Sequence, residues 1–198
     1  GHPFSLLEQV TDELNASLEP GYVSVLPESF HVTAADLLAR AHWQLGELDR
    51  QTELTQRALN GIAKHYRSHA RFAHWVFAGL SIFEHALVAL LTPTDPKCYD
   101  ALVRLRALIY QDEALTRLGV KQPRPLMLHI TLGYFTERLR ELNPKHLVDA
   151  IGRADHALRL AAGSVVYEMP TLRLCQFSQM GMYSVASPSL EISLVADP

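Results

Sequence analysis

The stretch PLMLHITLGYF, residues 125–135, places a histidine and a threonine two positions apart in an otherwise apolar run. Successive side chains of a β-strand point to opposite faces, so a strand here puts His129 and Thr131 on one face. An apolar strand that turns two polar groups the same way must satisfy them, either locally or through a partner elsewhere in the chain. A partner of matching type exists. ESFHVTAADL, residues 28–37, carries His31 and Thr33 at the same spacing. Of the 10 histidines, these two alone are followed two places later by a serine or threonine. For threonine alone, chance spacing gives about 0.5 His-x-Thr pairs, so two is a mild excess, and the strand-like setting of both gives it weight.

Two imidazoles and two hydroxyls brought to one cleft match the needs of phosphodiester cleavage. Imidazole has an unperturbed pKa of about 6.5, so near neutral pH one copy serves as a neutral base and the other as a charged acid. The hydroxyls donate hydrogen bonds to the non-bridging phosphate oxygens as negative charge builds there. His129 and Thr131 alone fit a structural sheet histidine as well as a catalytic one. The second couple tips the reading toward function.

The rest of the chain bounds that reading. With 198 residues and 48% hydrophobic content, it is long enough for one sizeable core or two small lobes sharing one. Charged residues make up 20%, which excludes the composition of disorder. A net charge of −3 provides no basic field for long double-stranded nucleic acid, whereas a small nucleotide or an RNA end needs only local contacts. Cys98 and Cys175 are too few for a disulfide framework, so a reducing cytoplasm is expected. The longest apolar run, Ala86 to Leu91, falls far short of the roughly 20 residues of a membrane span. We expect one domain over residues 1–198, monomeric, needing no cofactor or metal and no membrane.

Periodicity supplies the elements. Phe4, Leu7, Val10, Leu14 and Leu18 predict an amphipathic helix ending before Pro20-Gly21. Around Pro27 the pattern predicts two short strands or a strand and a turn. A helical pattern follows from Ala34 to about Ala70, clearest from Glu47 to His69. FAHWVFAGLSIFEHALVALL predicts a hairpin broken at Gly79-Leu80-Ser81. Asp95 and Pro96 open a helix that Gly119 closes, and Asn143-Pro144 opens another to about Leu158. SVVYEM, TLRLCQFS and MYSVAS predict closing strands. The uneven order of helices and paired strands favours α+β with antiparallel sheet.

HVTA (31–34) and HITL (129–132), one in each half, resemble the paired H-x-T-x motifs of the 2H (two-histidine) phosphoesterase superfamily. That group includes the RNA 2′,3′-cyclic phosphodiesterases, also called 2′-5′ RNA ligase-like proteins. Ala34 closing the first motif, an opening strand that is hard to find before the first helix and the long helical stretch after His31 depart from the pattern and suggest a divergent branch. The resemblance implies a bilobal α+β fold, its lobes interleaved in sequence, with two antiparallel sheets flanking a central cleft and helices outside. It implies His31 and His129 as catalytic and Thr33 and Thr131 as phosphate-binding. The implied activity is metal-independent hydrolysis of 2′,3′-cyclic or related small nucleotide and RNA-end phosphodiesters. The motifs do not say which histidine is acid and which is base.

Two further residues are candidates for lining the substrate. On strict alternation Phe135 shares the face of His129, and Tyr183 in QMGMYS offers an aromatic hydroxyl near a glycine. Trp75, Phe77 and Phe83 fit core positions, and Arg124 fits a surface arginine. Two other functions stand beside the leading one. A module with the same cleft binds a nucleotide or RNA end without turnover, or His65 and His69, four apart on a helix, join a metal-dependent hydrolase.

Overall fold

The structure, a computed structural model, describes residues 4–37, 47–71, 73–122, 124–161, 165–179, 182–185 and 190–196. Helix α1 (Ser5–Leu18) forms where the three- and four-residue spacing predicts, burying Leu7, Val10, Leu14 and Leu18 along one stripe. Strand β1 (Tyr22–Ser24) follows, and Pro27 then starts a short 3-10 turn over Pro27–Ser29. The chain rejoins the sheet at Val32.

The helix expected from Ala34 does not begin there. Residues 33–37 are irregular, and residues 38–46 lie outside the described residues. Helix α2 spans Glu47–His65. Side chains of α3 (Pro96–Gln111) take the carbonyls that a helix at Ala34 would bond. The Arg106 guanidinium donates to the Ala34 carbonyl. The Tyr110 hydroxyl accepts from the Asp36 N–H at 3.1 Å and donates to the Asp36 carbonyl at 3.2 Å.

The hairpin is present, but its turn lies at Glu84-His85 rather than at Gly79–Ser81. Strands β2 (His74–Phe83) and β3 (Ala86–Pro93) pair from Phe83 with Ala86 outward. Gly79 sits inside β2, at φ +155° and at a register shift. A Cβ there would lie 2.4 Å from the Arg159 guanidinium. The glycine therefore serves a bulge and the close approach of a helix, not a reversal.

The next helix is split. Asp95 caps α3 by accepting from the Lys97 N–H at 2.9 Å. Asp112 then adopts extended backbone and caps α4 (Glu113–Arg117), accepting from the Leu115 N–H at 2.9 Å. Gly119, at φ +89°, closes it. After β4 (His129–Phe135) come α5 (Pro144–Ala161) and β5 (Tyr167–Glu168). The described chain ends with β6 (Thr171–Arg173), β7 (Cys175–Gln179), β8 (Met182–Val185) and β9 (Glu191–Ser193).

Among the described residues β1-β4-β3-β2-β5 form a five-stranded antiparallel sheet, with β6-β9 and β7-β8 as two-stranded antiparallel pairs. The fold is α+β, as expected. Helices α1 and α5 pack on each other, α1 against β1 and α5 against β2, while α3 packs on β3. Trp75, Tyr22, Tyr167, Leu105, Ile130 and Leu132 fill the core between these layers. No helix among the described residues is long and apolar enough to cross a membrane.

One core residue yields a stability prediction. The Tyr22 hydroxyl is buried and has no hydrogen-bond partner among the described residues, and burial pushes its pKa upward. A buried polar group left unpaired costs about 1–3 kcal/mol. Tyr22→Phe is expected to raise the denaturant midpoint by the equivalent of about 1 kcal/mol at unchanged slope. A lowered midpoint would contradict this account of the hydroxyl.

Candidate active site

The two motifs meet through their middle residues. Val32 pairs antiparallel with Ile130 in an isolated bridge on the edge of β4 away from β3, before the stretch that β1 pairs with. In such a pair His31 falls beside Thr131 and Thr33 beside His129, and alternation turns all four to the face opposite Ile130. Ile130 is fully buried in the core, whereas the four polar residues are half-buried. The strand expectation for residues 125–135 holds from His129 onward; Pro125 to Leu128 approach the sheet without a strand of their own.

Both rings are held the same way. The His31 Nδ1–H donates to the Ser29 carbonyl at 2.7 Å, and the His129 Nδ1–H donates to the Met127 carbonyl at 2.8 Å. A carbonyl only accepts, so these bonds fix the proton on Nδ1 and, in the neutral ring, the lone pair on Nε2. Phe83 sets its ring edgewise against His129, with centroids 5.0 Å apart at 71°. Phe83 thus borders the site rather than filling the core, where Trp75 and Phe77 lie.

Burial is the main influence on His129, and it holds the imidazole pKa below the usual histidine value. The bond to Met127 works against this, Arg124 and His31 lower the pKa further, and Asp36 opposes them. That His31 acts on His129 means the two rings share one field. Arg124 and Asp36 approach to 4.0 Å at the rim, both exposed by half or more. Arg124 is a surface arginine, as expected, with Asp36 beside it.

The register of β4 corrects one expectation. Thr131 pairs with Val88, but the next pair is Gly133 with Leu87, so Leu132 is an extra residue. A bulge of this kind exchanges the faces beyond it. His129, Thr131 and Tyr134 oppose Leu90, Val88 and Ala86, which alternate along β3. Tyr134, not Phe135, therefore joins the histidine face. Burial raises the Tyr134 pKa, and the Thr131 side chain opposes the rise. Phe135 packs instead on Tyr22, ring centroids 5.7 Å apart. Sequence reasoning missed Tyr134; the glycine at 133 inside a strand was the available signal of a bulge.

Of the remaining candidates, Tyr183 lies in another strand pair and His65 on a helix. Tyr183 lies opposite Phe177 in the β7–β8 pair, and its side chain lies outside the described residues. His65 ends α2 with its Nδ1–H donating to the Gly61 carbonyl at 2.9 Å. Among the described residues no group of three or more His, Cys, Asp or Glu side chains is arranged to hold a metal ion.

No family model matches the sequence, and no curated protein matches it. Solved structures do resemble the fold. The structure of Kluyveromyces marxianus Usb1 superposes with a TM-score of 0.53 at 10% identity, covering 98% of this chain and 92% of that one. Kluyveromyces marxianus Usb1 with uridine monophosphate gives 0.51 at 11% identity over the same shares. Identity this low speaks for the fold alone, and the likeness fits a bilobal two-histidine phosphoesterase-like architecture.

Proposed function

We propose that the protein is a metal-independent phosphoesterase that hydrolyses 2′,3′-cyclic or related small phosphodiesters of nucleotides and RNA ends. The observation that carries this is the Val32–Ile130 pairing, which sets two His–Thr couples on one face with matched Nδ1 bonds to carbonyls. A protein of similar fold has been solved with uridine monophosphate, and we take a nucleotide as the ligand class here too.

In this proposal His129 is the base, since its surroundings favour the neutral ring. Its Nε2 takes a proton from water as the water oxygen bonds to phosphorus. The bond from phosphorus to one ribose oxygen breaks in line, and His31, charged at Nε2–H, gives that oxygen its proton. The products are a ribose hydroxyl and a phosphomonoester. Thr33 and Thr131 donate to the non-bridging oxygens, where charge grows in the transition state. Tyr134 orients the Thr131 hydroxyl or meets the substrate beside it.

Incubation with a 2′,3′-cyclic mononucleotide, with and without chelator, tests the proposal. Turnover that chelator leaves unchanged supports it. Binding without turnover identifies a recognition module, and turnover lost to chelator identifies metal chemistry.

The pH profile carries a sign. A protonated His129 cannot accept a proton, so kcat/KM falls on the acid side as pH drops through its pKa. That limb should lie below the ordinary histidine value of about 6.5. Arg124→Ala removes a lowering influence and moves the limb to higher pH; Asp36→Asn removes a raising one and moves it to lower pH. Both shifts should shrink with added salt, because both groups are exposed. Equal limbs in all three proteins at low ionic strength would remove His129 from the role of base.

A further inference from the structure

Arg106 lies on α3 and is buried, with 7% exposure, although it carries a charge. A buried charge persists only where hydrogen bonds compensate its lost hydration. Two carbonyl oxygens supply them. One guanidinium nitrogen donates to Ala34, and the other donates to Arg124 at 3.1 Å. The guanidinium also lies over the Tyr110 ring, 5.1 Å from its centroid.

The identity of those carbonyls matters. Ala34 directly follows Thr33, and Arg124 leads into the strand that begins at His129. One planar fork thus grips the exit of the first motif and the approach to the second. The first motif's own pairing with β4 is the single isolated bridge at Val32. One turn along α3, Tyr110 bonds both backbone groups of Asp36 and fixes the same segment. A helix that carries none of the four polar residues thus holds the backbone on either side of them.

We propose that Arg106 is a positioning residue whose guanidinium, bonded to Ala34 and Arg124, registers the His31–Thr33 couple against the His129–Thr131 couple. This rests on reading those four residues as one site, but not on turnover. Lysine cannot replace the fork, because an ammonium is a point charge that does not span two divergent acceptors in one plane.

The test is a mutant cycle read by NMR titration of the His129 ring. In the parent, His31→Ala removes a neighbouring positive charge and raises the His129 pKa. Arg106→Met is expected to abolish that shift, with far-UV circular dichroism unchanged, because the rings no longer hold their spacing. The cycle subtracts the direct effect of removing the Arg106 charge. Arg106→Lys is expected to reduce the shift without abolishing it. It also lowers kcat on the order of 10- to 100-fold with KM held, as for a small misplacement of catalytic groups. A His31 effect of full parental size in both variants overturns the proposal. Should Arg106→Met fail to fold, Arg106→Lys decides: a reduced shift supports the role and an unchanged one refutes it. A parent without turnover would defeat the phosphoesterase reading while leaving this cycle to report on Arg106.

Discussion

His129→Ala is expected to lower turnover of a 2′,3′-cyclic mononucleotide by about 100- to 10,000-fold, the usual worth of a positioned general acid or base. Stability should change little. The ring is half-buried and its carbonyl partner, on Met127, belongs to an exposed residue, so water replaces the lost bond. His31→Ala is expected to fall in the same range, and the double variant well short of the product of the two losses. Residues that act on one transition state are strongly non-additive. The two roles separate on a substrate whose leaving group needs no proton, such as a 4-nitrophenyl phosphodiester. Most of the lost rate should return in His31→Ala and little in His129→Ala. Rescue in the opposite sense exchanges acid and base, and full activity in either single variant ends the assignment.

The motifs were legible because a period of two is a local property: His and Thr two apart share a face whatever the strand pairs with. Their meeting was legible only as a need, since nothing local to Val32 announces Ile130 as its partner. Where the reading slipped, a distant contact had overruled a local rule. Phe135 was expected on the histidine face, but the extra residue at Leu132 hands that place to Tyr134. Gly79 was expected in a turn, but it makes room for Arg159 of α5. Ala34 was expected in a helix, but α3 binds its carbonyl. One helix was expected from Asp95 to Gly119, but Asp112 caps a second helix and divides it. Arg106 carries no motif at all, and its place follows from burial and from two carbonyls far apart in the chain.

Gly133→Ala is expected to destabilise the protein by about 3 kcal/mol, the upper end of ordinary overpacking. An added Cβ would lie 2.3 Å from both the Cζ and the hydroxyl of Tyr22 and 2.6 Å from the Val23 carbonyl. Tyr22 is fully buried and cannot swing aside. The Val23 carbonyl belongs to β1 where that strand pairs with β4, so moving it breaks the pairing of Val23 with Tyr134. At this chain length the loss corresponds to a fall in Tm of about 6–12 °C. Tyr22→Leu in the same chain should recover only part of it, because the carbonyl remains. Gly61→Ala is the control: it lies in α2 with nothing within 4 Å of its Cβ. There the same change should stabilise by up to about 1 kcal/mol through helix propensity. Opposite signs for one chemical substitution are what packing demands. An unchanged Tm in Gly133→Ala would mean that β1 yields freely, and that the edge of the sheet beside Tyr134 is softer than its contacts imply.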